Sequence, residues 1–150
     1  GPNIMQGYIN PDAPGKIIPP EDGWYNTGDV VAIDEDGFIA IRGRLKRFAK
    51  IGGEIVSLAV VENIAAALWP DNAHAAVAVP DGRKGEQVVL VTDAKDARRV
   101  ELIGWAQNHG VPEISIPRRI LVVDAIPLLA TGKTDYVSMQ KIAEAEVVAG

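Results

Sequence analysis

The chain has 150 residues, 47% of them hydrophobic and 23% charged. That balance excludes a disordered, collagenous or coiled-coil polymer, because enough apolar surface exists to offset the entropy of ordering one domain, or one domain plus the tail of a neighbour. With 15 basic against 20 acidic residues the formal charge is -5, the wrong sign for the dense positive footprint of bulk nucleic-acid binding.

The first 37 residues are punctuated by Pro2, Gly7, Pro11, Pro14, Gly15, Pro19, Pro20, Gly23 and Gly28, which leaves room only for short strands and turns. Val30 to Ile33 and Phe38 to Ile41 flank Asp34-Glu35-Asp36-Gly37, two apolar runs around an acidic turn, and predict a β-hairpin. The charge pattern then changes abruptly at Arg42-Gly43-Arg44-Leu45-Lys46-Arg47. A domain boundary is expected there, dividing residues 1–43 from residues 44–150.

Beyond it, Phe48 to Ile51 and Ile55 to Val56 are short strands around Gly52-Gly53, a pair suited to a tight turn or to close approach by a ligand. Leu58, Val61, Ile64, Ala65 and Leu68 recur at three and four residues, a helix face that ends before Pro70. His74 to Val79 and Gln87 to Thr92 read as strands. Arg99 to His109 reads as a helix with Val100, Ile103 and Ala106 in phase and Gly110 as its stop. Ile120 to Val123 is a further strand. After the Thr131-Gly132-Lys133 loop, a last helix carries Val137, Ile142 and Ala145, with Asp135 or Thr134 as its cap. The order after residue 46, β-β-α-β-β-α-β-loop-α, is that of a compact α+β domain.

No apolar run approaches the roughly 20 residues of a membrane-spanning helix, and Gly1-Pro2-Asn3 lacks the pattern of a signal peptide. The absence of cysteine excludes disulfides, thiolate metal ligands and a cysteine nucleophile, and fits a reducing, cytoplasmic setting for this domain. Thiol chemistry must use sulfur from another molecule. His74 and His109 have no carboxylates at ligand spacing, so no metal site is expected. Ser57, Ser115 and Ser138 lie outside any nucleophile-elbow pattern.

Thr131-Gly132-Lys133-Thr134 imitates the end of a P-loop, but position 127, where that pattern needs glycine, is Pro. What remains is a cation on a glycine-flexed loop, where a long side chain can reach an anion. Gly23-Trp24-Tyr25-Asn26-Thr27-Gly28-Asp29 sets a carboxylate at the start of a strand, a place from which it can accept hydrogen bonds from ribose hydroxyls. Arg42, Arg44, Lys46, Arg47 and Lys50 cluster at the boundary, and arginine's planar fork suits phosphate oxygens. Taken singly, each of these fits an ordinary surface turn or a solvated charge run as well.

Their order is more specific. The segments at 1–8, 23–29, 43–54 and 127–133 resemble, in sequence and spacing, the C-terminal motifs of the adenylate-forming superfamily, which includes acyl-CoA synthetases, peptide-synthetase adenylation domains and luciferases. Residues 46–58, 109–113 and 127–129 further resemble the branch in which an acyl-acyl-carrier-protein synthetase is joined to a lysophospholipid acyltransferase, whose full-length members would associate with the inner membrane. The resemblance implies a small C-terminal lid domain preceded by a short β-rich end of a large N-terminal domain. It also implies that the chain is a piece of a longer ligase and inactive alone. ATP with Mg2+ and the pantetheine thiol of an acyl carrier protein or CoA would be its cofactor and acceptor, with a fatty acid as substrate.

By the same resemblance Asp29 would hold the ATP ribose hydroxyls, Arg44 would contact ribose or phosphate, and Lys133 would bridge the acyl carboxylate and the α-phosphate. Lys46 falls at the hinge of the lid, where many members carry Asp. Gly52 and Gly53 would line the pantetheine path, although Glu54 and Ile55 replace the aromatic and basic residues usual after them. Arg47, Lys50, Arg83 and Lys84 are candidates to steer an acidic carrier protein. A non-catalytic carrier-binding module and a basic-patch nucleic-acid binder are the competing classes.

Overall fold

A computed structural model describes residues 3–149, so Gly1 and Pro2, which open the first of the four family-like segments, lie outside the described residues, as does Gly150. The chain forms two compact units, Gly1–Gly43 and Arg44–Gly150. In the first, β1 (Tyr8–Ile9) pairs antiparallel with β2 (Ile17–Ile18), and β3 (Asp29–Ile33) pairs with β4 (Ile39–Arg44), which crosses the boundary. The acidic turn between β3 and β4 is held by Asp34, whose carboxylate accepts from Asp36 N–H at 3.1 Å and Phe38 N–H at 2.8 Å. Phe38 therefore closes the turn instead of opening the strand, and it is 73% exposed.

The second unit begins with a 3₁₀ turn, Leu45–Arg47, followed by β5 (Phe48–Ile51), β6 (Glu54–Ser57), α1 (Leu58–Leu68), β7 (His74–Asp81) and β8 (Gly85–Thr92). The remaining elements are α2 (Arg99–His109), a 3₁₀ turn at Glu113–Ser115, β9 (Arg119–Val122) and α3 (Tyr136–Ala149). Strand β8 is the centre of a five-stranded sheet. One edge pairs antiparallel with β7 along its length, from His74 opposite Thr92 to Asp81 opposite Gly85. Its other edge is shared: β5 joins it at Gly85, and β9 runs parallel to it from Val89 to Thr92.

Alternation along β7 and β8 divides the core between two faces. Ala76, Val88 and Leu90 pack with Val61, Ile64 and Ala65 of α1 and Leu102 and Ala106 of α2. Ala75, Val77, Val79, Val89 and Val91 pack with Met139 and Ala143 of α3. Covered on both faces, these two strands read as nearly unbroken apolar runs. None of the described helices is long and apolar enough to cross a membrane.

Two helix faces differ from the periodicity reading. In α3 the buried residues are Met139 and Ala143, while Val137 and Ala145 face outward. In α2, Leu102 is fully buried and Val100 is exposed. Both helices mix apolar residues around their circumference, so several phases are nearly degenerate until the sheet selects one.

Candidate functional site

Lys133 sits on a narrow hairpin between β9 and α3. Leu128 bridges Thr134 across it, Leu129 N–H donates to Lys133 C=O at 2.7 Å, and Gly132 N–H donates to Leu129 C=O at 2.8 Å. Gly132 turns the chain at φ +78°, a conformation costly for any residue with a Cβ. At the base, Asp135 N–H donates to Pro127 C=O at 2.9 Å. The Asp135 carboxylate caps α3, accepting from the N–H groups of Val137 and Ser138 at 3.1 Å each and from Ser138 Oγ at 2.7 Å. Those bonds, the Ser138 hydroxyl first, hold its pKa below the ordinary 3.8. The lysine side chain is exposed at the end of this framework.

Asp29 is half-buried at the start of β3. Its N–H donates to Thr27 Oγ1 at 3.2 Å and that of Gly28 to Asn26 Oδ1 at 2.9 Å, so the preceding turn is built by its own side chains. Arg44 ends β4 and Lys46 lies in the 3₁₀ turn Leu45–Arg47, both exposed. Asp29 belongs to the first unit and Lys133 to the second. Among the described residues no group of three or more His, Cys, Asp or Glu is arranged to hold a metal ion.

Gly52 and Gly53 form the exposed turn of the β5–β6 hairpin, at φ +59° and +94°. A Cβ on either would meet nothing within 4 Å. Gly52 N–H donates to Lys84 C=O at 2.8 Å, tying this turn to the β7–β8 connection. Beside it a groove of about 570 Å³ is lined by Ile51, Arg83, Lys84, Arg99, Ile116 and Arg118 among others. Two of its cations are engaged: Arg99 Nε donates to Pro117 C=O at 3.0 Å, and Arg118 Nη1 to Asp81 Oδ2 at 2.8 Å. Asp81 also accepts from the N–H groups of Arg83 and Lys84, and these bonds, with Arg118 beside them, keep its carboxyl below the usual range.

Arg47 is not a free steering cation. Its Nη2 lies 2.6 Å from Glu62 Oε2 and its Nη1 donates to Ala76 C=O at 2.9 Å, with the guanidinium 4.0 Å from the centroid of the Tyr136 ring. The Tyr136 hydroxyl donates to Glu62 Oε1 at 3.2 Å. Burial, then the Glu62 charge, pushes its pKa above the ordinary 10.0. Sequence reading missed Glu62 and Tyr136. One signal was present, since Glu62 is the only charged residue in α1 and directly follows the core position Val61.

Neither histidine is placed for chemistry. His74 Nε2 donates to Trp69 C=O at 2.9 Å, and Nδ1 shares a hydrogen bond with Thr92 Oγ1 at 2.8 Å. His109, in the last turn of α2, bonds Trp105 C=O at 2.8 Å and stacks on the Trp105 ring.

No protein-family model matches the chain. It is 34% identical over 137 residues to the feruloyl-CoA synthase of an Amycolatopsis species, covering 89% of this chain and 27% of that protein. It is 30% identical over 152 aligned positions to the 2,3-dihydroxybenzoate-AMP ligase of Bacillus subtilis (strain 168), covering 100% of this chain and 28% of that protein. Among solved structures, the amide bond synthetase of Marinactinospora thermotolerans matches with a TM-score of 0.58 and 31% identity, over 82% of this chain and 25% of that one. A Mycobacterium tuberculosis fatty acyl CoA synthetase matches with a TM-score of 0.64 and 26% identity, over 84% and 25%. The chain thus spans about a quarter of the length of the curated relatives it matches. Its homologues are adenylate-forming acyl-CoA and aryl ligases, and its fold is that of the small α+β C-terminal domain of those enzymes.

Proposed function

We propose that the chain is the C-terminal part of an ATP-dependent ligase that activates a fatty acid as acyl-AMP and passes the acyl group to a pantetheine thiol. Residues 1–43 are the end of its adenylating domain and residues 44–150 its lid. The observation that carries this reading is the braced hairpin that presents Lys133 as an exposed cation between β9 and α3.

In the first half-reaction a carboxylate oxygen attacks the α-phosphorus of ATP and pyrophosphate leaves. Negative charge grows on crowded oxygens, and a positioned ammonium lowers the barrier by meeting it there. Lys133 takes that role. Asp29 accepts hydrogen bonds from the ribose hydroxyls, and Arg44 suits a ribose or phosphate oxygen. The magnesium ion that accompanies ATP has no fitting ligand cluster among the described residues. In the second half-reaction the thiol attacks the acyl carbon, losing its proton, and AMP leaves. The thiol needs its own approach, so rotation about Lys46 withdraws the Lys133 loop and brings up Gly52-Gly53, whose exposed turn offers no side chain to obstruct a thin pantetheine arm.

Replacing Lys133 by Ala in the full-length enzyme is expected to slow ATP-pyrophosphate exchange by about 10²- to 10³-fold. Transfer from supplied acyl adenylate should change little, and equal loss in both half-reactions would overturn the assignment. The isolated chain should show no exchange, since it spans only about a quarter of its relatives.

Within this reading the acceptor is an acyl carrier protein, supported by the exposed Arg83 and Lys84 on one groove wall. CoA is the second reading, favoured by relatives named as CoA synthases. Reversing Lys84 to Glu separates them. For the carrier, transfer weakens and its salt dependence flattens, as expected for opposite patches screened over about 8 Å at physiological strength; for CoA, the enzyme uses the free thiol in preference to the carrier.

A further inference from the structure

The Lys133 hairpin is not anchored by burial of its own tip. Leu128 and Leu129 are 61% and 48% exposed, and in the first turn of α3 Val137 is 67% exposed. The helix body is fixed by Met139 and Ala143, but these lie one and two turns further along. Among the described residues, Tyr136 is the side chain of that first turn tied to distant elements. Its ring stacks on the Arg47 guanidinium and its hydroxyl meets Glu62 of α1. Glu62 Oε1 also accepts from Ala76 N–H of β7 at 2.8 Å, and Arg47 bonds the same residue's carbonyl. The Arg47 and Glu62 side chains are only 20% and 19% exposed, so their attraction is less screened than at an open surface. Four elements converge on one charge pair: the end of the 3₁₀ turn at Arg47, α1, β7 and α3.

We propose that Arg47, Glu62 and Tyr136 form a positioning clamp that joins the chain just after Lys46 to the base of the Lys133 hairpin, so that rotation at Lys46 carries the lysine as part of one rigid piece. The consequence for activity rests on the role of Lys133 proposed above; the mechanical consequence does not. An Arg47 that swung freely could not transmit a rotation beginning one residue earlier. Bonded to α1 and β7 and stacked on α3, it makes the chain from Arg47 onward, the sheet and the hairpin base move together. Precision at a reacting group is sensitive to such support, because small misplacements cost large factors in rate.

The test uses two variants of the 150-residue chain and amide hydrogen exchange. Tyr136→Leu removes the aromatic face and the hydroxyl; Tyr136→Phe keeps the face. In Tyr136→Leu the Leu129 and Gly132 amides should exchange about tenfold faster while Val89 and Val91 in β8 keep their protection, the signature of local opening. Tyr136→Phe should restore most of the difference. Unchanged hairpin amides, or uniform acceleration that includes β8, would overturn the clamp. In the full-length enzyme Tyr136→Leu should then lower kcat for adenylation about tenfold with KM for the fatty acid unaltered and transfer from supplied adenylate intact. A loosened hairpin with undiminished adenylation would sustain the clamp and count against Lys133 as the adenylating cation.

Discussion

At Gly53 the backbone demands glycine, and space does not. The residue sits at φ +94° in an exposed turn where an added Cβ meets no atom within 4 Å. Gly53→Ala is therefore expected to destabilise the domain through conformation alone, by about 1–2 kcal/mol, readable as a lower denaturant midpoint with an unchanged m-value. Arg47 teaches the opposite lesson. It stands in a row of cations that all look solvated in the sequence, and the fold draws it into a half-buried ion pair with Glu62, whereas Arg44 and Lys46 lie on the exposed surface. Nothing local distinguishes it from its neighbours. Its partners lie 15 and 89 positions further along the chain, at Glu62 and Tyr136.

At the scale of elements, α3 is where periodicity and packing part. Its existence was legible and its cap was narrowed to Asp135 or Thr134, and the structure uses the Asp135 carboxylate to satisfy the first free N–H groups. Its buried face was not, since Val137, Met139, Ile142 and Ala143 give no single clean stripe. The sheet decided, taking Met139 at 0% exposure and leaving Val137 outside. Met139→Ala should cost about 2–5 kcal/mol, the loss of buried apolar contacts plus a cavity. Val137→Ala should stay within about 0.5 kcal/mol. Thermal unfolding of the two variants compares them directly, and similar losses would contradict the burial assigned here. By contrast, in α1 the face read from the three- and four-residue spacing is the one the fold buries, at Leu58, Val61, Ile64 and Ala65.

For the whole molecule, three carboxylates hold turns together and share one pH dependence. Asp81 gathers the N–H groups of Arg83 and Lys84, Asp93 accepts from Asn72 and Ala73 N–H, and Asp135 caps α3. Each has a pKa lowered by folding below the ordinary 3.8. A group whose folded pKa is depressed contributes its stability above the unfolded value, and loses it as pH falls through the folded one. Stability should thus be flat with respect to these groups at neutral pH and fall below about pH 4, with proton uptake on unfolding. Denaturant midpoints between pH 3 and 7 check this on the wild type. Asp81→Asn should flatten the acid limb, because its amide cannot gain a proton there.

The sequence by itself determined the order of elements, the breaks between them and the four spaced segments that resemble the adenylate-forming superfamily, because caps, turns and short motifs are written in neighbouring residues. The Thr131-Gly132-Lys133 loop and the Gly52-Gly53 turn belong to this local grammar. Tertiary structure alone decided which edge of β8 receives β5 and β9, which face of α3 is buried, and how the 3₁₀ turn that holds Lys46 is tied to the helix after Lys133. Those outcomes depend on contacts between residues far apart in the chain, where several arrangements satisfy local preference equally and only the shared core and a shared charge pair separate them.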